Sequence, residues 1–254
     1  MSSDEYVRSI ISKYKVNSVI DSYTQTQVID PLSEIIKGWA GYSLIDVKVS
    51  GSRAKGTAIN LGSDIDLFIS LISTTDYSLK QIYDSLYDCM LNRNITCRKQ
   101  NVSVGINYKN HNLDLVPGKR HNGNTNDHSL YKNKSNTWTQ TNVERHINLV
   151  KNSGRIEEII LLKIWRKLNN LDFPSIYLEL IVIEALTNKN KNHPADNFWT
   201  VLEYLGDSFV DKKVIDPANS NNIISDDLFK YEREAIAYKA KESSNKRTWN
   251  EIIW

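Results

Sequence analysis

Cysteine is almost missing from this chain. Its 254 residues include two, Cys89 and Cys97, too few for a disulfide framework and spaced unlike any common zinc motif. Both read as small buried apolar residues in reducing surroundings. An excess of charge of one sign is lacking too: 32 basic and 30 acidic residues leave a net charge of +2, so the chain as a whole carries no footprint of a nucleic-acid binder. No run approaches the roughly 18 apolar residues of a membrane span, and the opening MSSDEYVRSI has neither the basic nor the apolar region of a secretory leader. A cytoplasmic protein with no membrane partner is expected. What the chain does have is 40% hydrophobic residues, enough for the core of one large domain or two modest ones.

The pattern is organised around residues 51–70, GSRAKGTAINLGSDIDLFIS. Ile65, Leu67, Ile69 and Leu71 alternate with Asp64, Asp66, Phe68 and Ser70, the period of a half-buried strand. Asp64 and Asp66 therefore share a face, about 7 Å apart along the strand. Like charges held that close repel unless a cation lies between them, and Mg²⁺ is suited, because it takes one or two carboxylates and completes its shell with phosphate oxygens and water. Upstream, Ile45, Val47 and Val49 alternate on a strand that ends at Gly51 and Ser52. A glycine there lets backbone approach a phosphate closely, and exposed N–H groups can cradle it. Downstream, Val102, Val104 and Ile106 alternate, and after a short turn Asp114 stands alone within Leu113–Pro117. The plainer readings are turn or cap aspartates for the pair and a satisfied core or edge aspartate for Asp114.

Helical spacing runs over residues 4–39, and the sheet is expected from Leu44 to Pro117, interrupted by a helix over Leu79–Leu91 and continued by a strand near Ile95–Arg98. Residues 118–136 read as an exposed loop in which Lys119, Arg120, His121, Lys132 and Lys134 either meet phosphates or are simply solvated. His121 and His128 read as solvated. Beyond the loop the spacing predicts helices over Thr139–Val150, Ile156–Leu168, Ser175–Leu186, Ala195–Leu205 and Asp227–Lys241. The expected organisation is a catalytic domain over residues 1–135 and a helical lobe over 136–254, with a ligand at their seam. Lys163 interrupts an apolar helix, and it either snorkels to water or meets an anion such as a triphosphate. Pro174 suits the first turn of the next helix, where Ser175 and Tyr177 either cap and pack or reach phosphates or a base.

Together these pieces resemble the template-independent nucleotidyltransferases of the polymerase-beta-like superfamily. Within it the likeness is to the cGAS/DncV-like (CD-NTase) bacterial cyclic-oligonucleotide synthases and the oligoadenylate synthetases, with CCA-adding enzymes more distant. The matching residues are Gly51-Ser52 with Asp64-Ile65-Asp66, Asp114-Leu115-Val116-Pro117, the Lys163 helix, Pro174 to Glu179, Asp216-Pro217-Ala218-Asn219, and the tryptophan-bearing Trp249–Trp254. They cover most of the chain. The resemblance implies an α+β fold with a mixed sheet and an active site in the cleft between lobes. It implies a monomeric nucleotidyltransferase that joins nucleoside triphosphates, ATP among them, into a cyclic or short linear oligonucleotide signal in anti-phage defence. It further implies that Asp64, Asp66 and Asp114 are catalytic and hold two Mg²⁺ ions, for which Mn²⁺ can substitute. Gly51 and Ser52 would grip the donor triphosphate, and Lys163, Ser175 and Tyr177 would contact its phosphates or base. An RNA activator would sit on the basic loop. Addition of nucleotides to an RNA end, or nucleotidyl transfer to a small molecule or protein, would use the same aspartates.

Overall fold

The computed structural model describes residues 1–62, 64–122 and 125–254. They form two compact units, one of residues 17–55 and 63–147 built on a sheet and one of residues 1–16, 56–62 and 148–254 built of helices. This partition differs from a single break after residue 135. The N-terminal helix α1 (Ser3–Tyr14) buries Val7, Ile10, Ile11 and Tyr14 in the core of the helical unit, and Ile59 of the 56–62 segment joins the same core. Apolar burial, not order along the chain, decides which unit a segment joins.

In the sheet unit a short helix α2 (Ser22–Thr24) and a π-helical turn (Gln25–Ile29) lead into α3 (Asp30–Ala40). Then come β1 (Leu44–Val49), α4 (Gly51–Lys55), β2 (Ile65–Leu71), α5 (Leu79–Leu91), β3 (Thr96–Lys99), β4 (Val104–Tyr108), β5 (His111–Arg120), β6 (His128–Lys132) and β7 (Thr137–Thr141). Among the described residues the sheet has seven strands in the order β1-β2-β5-β4-β3, with β6 and β7 extending from β5. Only β2 and β5 run parallel, so the sheet is mixed, as expected. Ile65, Leu67, Ile69 and Leu71 face a core shared with Val104, Ile106, Leu113 and Leu115. That core is closed by α5, whose Ile82, Tyr83, Leu86 and Met90 recur at helical spacing. Ser78 and Gln81 form a capping box at the start of α5.

The 118–136 segment is not an open loop. β5 continues to Arg120, and Leu130 and Tyr131 of β6 are buried; Gly123 and Asn124 lie outside the described residues. Two of its cations are occupied within the unit: Lys119 Nζ donates to the Thr75 carbonyl at 2.7 Å and Arg120 to Asn126 Oδ1 at 2.9 Å. His128 is not solvated either. It is 4% exposed, its Nε2 lies 2.8 Å from Ser70 Oγ, and its ring meets Phe68 edge-on at 4.8 Å; burial holds its pKa below the usual value. The helix expected from Thr139 begins only with α6 (Val143–Ser153), because Thr137–Thr141 carries a β-branched threonine at every second position and pairs with β6.

The helical unit adds α7 (Ile156–Leu168), α8 (Ser175–Ala185), α9 (Pro194–Asp207), a hairpin of β8 (Ile215–Asp216) and β9 (Asn219–Ile223), and α10 (Lys230–Ser244). α7 is buried on nearly all sides from Glu158 to Arg166, the centre of this unit. Asp216 shapes the hairpin turn, accepting from the Ala218 N–H at 2.8 Å and from Asn222 Nδ2 at 3.1 Å. Ile252 and Ile253 are buried in the same core, and Tyr6 and Tyr14 of α1 donate to the carbonyls of Ile253 and Trp254. Among the described residues no helix is long and apolar enough to cross a membrane.

Candidate active site

β2 and β5 place two aspartates side by side. Asp66 pairs with Asp114 in the parallel register, on the face opposite the core, at the strand spacing of about 4.8 Å. Asp64 stands just before β2 begins. Burial, then Asp66, then Asp64 push the Asp114 carboxyl up to about 6. A carboxylate among carboxylates resists ionisation unless a cation joins them.

Asp114 is also held in place. Gln100 Nε2 donates to Asp114 Oδ1 at 2.8 Å, and Ser103 Oγ donates to Gln100 Oε1 at 3.1 Å, which fixes the amide's orientation. The Tyr83 hydroxyl lies 2.7 and 2.9 Å from the carbonyls of Gln100 and Ser103 and fastens their turn. Among the described residues no three His, Cys, Asp or Glu side chains stand close enough to enclose a metal ion. The aspartates are therefore brought to one face without closing into a cage, and mutual repulsion among like-charged carboxylates acts in that direction. As a donor set, three carboxylates of this kind fit a hard divalent cation.

Gly51 answers a steric demand at this site. Its φ of +57° is in the left-handed region, and a Cβ there would fall 1.8 Å from Asp66 Oδ2. Ser50 secures the approach, donating its N–H to the Asp66 carbonyl at 2.8 Å. Gly51→Ala is expected to push the Asp66 carboxylate aside and strain the left-handed backbone, lowering the unfolding midpoint; a midpoint equal to that of wild type would refute this. Ser52 follows in the five-residue α4, half-buried.

In the helical unit the sequence-predicted residues divide. Lys163 is 2% exposed, and its Nζ donates to Glu179 Oε1 and to Thr57 Oγ1, each at 2.8 Å. Its partners in the fold are thus a buried carboxylate of the next helix and a buried hydroxyl, not solvent. Tyr177 is fully buried, its ring 5.2 Å from Phe209 and 6.2 Å from Phe173, and burial pushes its hydroxyl up to about 12. Each faces the core of its own unit. Ser175 is exposed, with Oγ 3.4 Å from the Arg166 guanidinium. Lys163→Met should cost about 3–5 kcal/mol by removing the cation that pairs with the buried Glu179 carboxylate. The check is the midpoint of urea unfolding, most of which Lys163→Met with Glu179→Leu should restore.

No protein-family model matches the sequence, and no curated protein matches it. Solved structures do. The Bradyrhizobium diazoefficiens CD-NTase CdnG in complex with GTP superposes with a TM-score of 0.80 at 11% identity, over 96% of this chain and 91% of that one. The Cid1 poly(U) polymerase bound to MgATP gives 0.68 at 12% identity, over 97% and 95%. The Elizabethkingia meningoseptica CdnE cyclic dinucleotide synthase with GTP and Apcpp gives 0.64 at 13%, over 97% and 100%. The chain has the nucleotidyltransferase fold. At these identities the likeness is one of fold.

Within the nucleotidyltransferase fold three residues stand out that sequence reasoning passed over. Gln100 orients Asp114. Arg98, exposed on β3, makes no hydrogen bond or ion pair with the described residues and lowers the Asp114 pKa through space. Lys167 is exposed one turn after Lys163, and its Nζ lies 3.6 Å from where a Cβ on Gly62 would sit. Gly62 is two residues ahead of Asp64 in the chain. The i, i+4 spacing of Lys163 and Lys167 was visible as a signal, whereas Gln100 and Arg98 needed the sheet register.

Proposed function

We propose that the chain is a divalent-metal-dependent nucleotidyltransferase that joins nucleoside triphosphates into a cyclic or short linear oligonucleotide signal. The observation that carries this reading is the pairing of Asp66 with Asp114 on adjacent parallel strands, with Asp64 at the strand entry and Gly51 packed against Asp66. Asp64 and Asp66 would hold Mg²⁺ together with Asp114. When bound, the ions neutralise charge developing on the transferring phosphate and lower the pKa of the attacking hydroxyl. Gly51 and Ser52 would hold the donor triphosphate, and in the helical unit Ser175 and Lys167 offer a hydroxyl and a cation for nucleotide contacts. Asp114, oriented by Gln100, accepts the hydroxyl proton. Lys163 and Tyr177 serve the helical unit itself, by ion pairing and packing.

The CD-NTase and cyclic dinucleotide synthase neighbours, with GTP or a nucleotide analogue bound, support the first reading. A second, nucleotide addition to an RNA end, is favoured by the poly(U) polymerase neighbour. Purified protein incubated with the four labelled nucleoside triphosphates and Mg²⁺ or Mn²⁺, with and without RNA, separates them after phosphatase treatment and mass analysis. A phosphatase-resistant small product made by wild type and not by Asp64→Ala is expected. Label found only on RNA would replace the first reading by the second. A signal in anti-phage defence, made in the cytoplasm by a monomer, extends the same proposal. An RNA activator on the basic segment would show as product formed only when RNA is present.

A further inference from the structure

The sheet unit has a cavity on the face away from the aspartates, at the other end of β2. That strand runs from Asp66 into a loop, residues 72–78, ahead of α5. Beside the loop α3 ends at Gly41, whose φ of +54° turns the chain into a 3₁₀ turn (Gly41–Ser43) and on to β1. The Ile72 N–H donates to the Ser43 carbonyl at 2.9 Å and fastens loop to turn. Between them, against Ile82 and Ser85 of α5, lies a cavity of about 180 Å³ lined by Trp39, Ser43, Thr75 and Tyr77.

Two polar groups of this cavity have nothing to bond to. Ser43 is 7% exposed and Thr75 4%, and neither hydroxyl makes a hydrogen bond to a described residue. Ser43 serves the fold through its carbonyl, and so does Thr75, which accepts from Lys119 Nζ. Neither hydroxyl is sealed into the packing, so both reach the cavity that they line. A hydroxyl taken from bulk water without a partner costs free energy that an occupant able to bond it returns. The walls around these hydroxyls are held in place. Trp39 Nε1 donates to Ser85 Oγ at 3.2 Å, and Ser85 Oγ donates to the Ile82 carbonyl at 3.2 Å, so the indole offers the cavity its ring and not its N–H. Lys119 Nζ bonds the carbonyls of Thr75 and Tyr77, at 2.7 and 3.4 Å, and pins the loop. Tyr77 stands exposed at the rim.

Among the described residues no charged side chain lines the cavity, so its occupant is uncharged where it lies. Aromatic walls favour a flat ring. Hydroxyls that can each donate or accept suit a ring with both kinds of atom along its edge. A closed cavity of about 150 Å³ is enough for benzene, so about 180 Å³ has room for one ring system and not for a whole nucleotide. We propose that this cavity binds a nucleobase, free or as the base of a nucleoside whose sugar stays at the open mouth. Ser43 and Thr75 bond its edge, and Trp39 and Tyr77 flank its ring. The site is separate from the aspartates and does not rest on their reading. An occupant ties the end of α3 to the loop, which makes binding visible as thermal stabilisation.

The test titrates the full chain, in metal-chelating buffer, with adenine, guanine, cytosine and uracil and with their nucleosides. Indole, a ring without acceptor atoms, and glucose, a sugar without a base, serve as controls. Calorimetry gives Kd, and melting gives the stabilisation. At least one base should bind with a Kd at or below about 1 mM, and about tenfold or more tighter than either control, the scale of two hydrogen bonds. Ser43→Ala and the near-isosteric Thr75→Val should each weaken that base by about 2- to 12-fold, the range of one hydrogen bond. The ligand-free melting temperature should stay within about 2 °C of wild type in both, because the fold uses neither hydroxyl. Tyr77→Ala, at an exposed position, should weaken the base by about fivefold or more through lost stacking. Asp66→Ala should bind it as wild type does. No binding of any base, a control bound as tightly as the best base, or unchanged affinity in all three cavity variants overturns the proposal. So does a ligand-free melting temperature lowered by several degrees in both Ser43→Ala and Thr75→Val, which would make the hydroxyls structural. Loss of base binding in Asp66→Ala would place the base at the aspartates and overturn the separate site.

Discussion

Asp66→Ala is expected to lower nucleotide incorporation by about 10³-fold or more, with the circular-dichroism spectrum and unfolding midpoint close to wild type. Asp66 sits partly exposed on the open face of β2, while the residues on either side of it, Ile65 and Leu67, carry the core. Removing its carboxylate therefore takes away a metal ligand without taking away packing. A loss of 10³ corresponds to about 4 kcal/mol of transition-state stabilisation, within reach of the charge neutralisation a bound divalent ion supplies. Asp64→Ala should fall by a similar factor. Steady-state incorporation of labelled nucleotide decides the matter. A variant that retains a tenth of wild-type turnover would remove Asp66 from the metal site.

Asp114→Asn should raise stability at neutral pH while, like Asp66→Ala, losing activity. Its carboxyl is raised from 3.8 to about 6 in the folded protein, so the native state binds its proton more tightly than the unfolded chain does. Stability contributed by this group is full below about pH 4, declines as pH rises toward 6, and stays low above it. The shift corresponds to at most about 3 kcal/mol near neutral pH. The amide carries no charge to desolvate or repel and still offers Gln100 an acceptor oxygen. In metal-free buffer at pH 7.5 Asp114→Asn should therefore melt several degrees above wild type, and the difference should vanish near pH 4. Mg²⁺ should raise the melting temperature of wild type and leave that of the variant nearly unchanged, while the variant loses transfer. A variant that melts below wild type at pH 7.5 in chelator would show that the three carboxylates are not in conflict.

What was legible in the sequence was what short segments dictate on their own. The alternation through Ile65–Leu71 is a local signal, and the bounds of α5 and α7 follow the spacing of their apolar residues. Lys163 was legible as an anomaly and not as a solution. Its partners Glu179 and Thr57 lie 16 and 106 residues away, and an ion pair of that reach leaves no periodic trace. His128 and Lys119 were misjudged for the same reason, since polar composition reads as solvent until a neighbouring strand or turn supplies partners.

The sequence by itself determined the fold class, the aspartate-bearing strands and the glycine that must pass beside them, because period and turn chemistry are properties of a few consecutive residues. Only the tertiary structure decided that Asp66 stands against Asp114, that Gln100 orients it, and that Arg98 shares its face, because register between strands is set by packing of their opposite faces into one core. It likewise decided that α1 and the 56–62 segment belong with helices more than a hundred residues away. Burial of apolar surface is indifferent to distance along the chain.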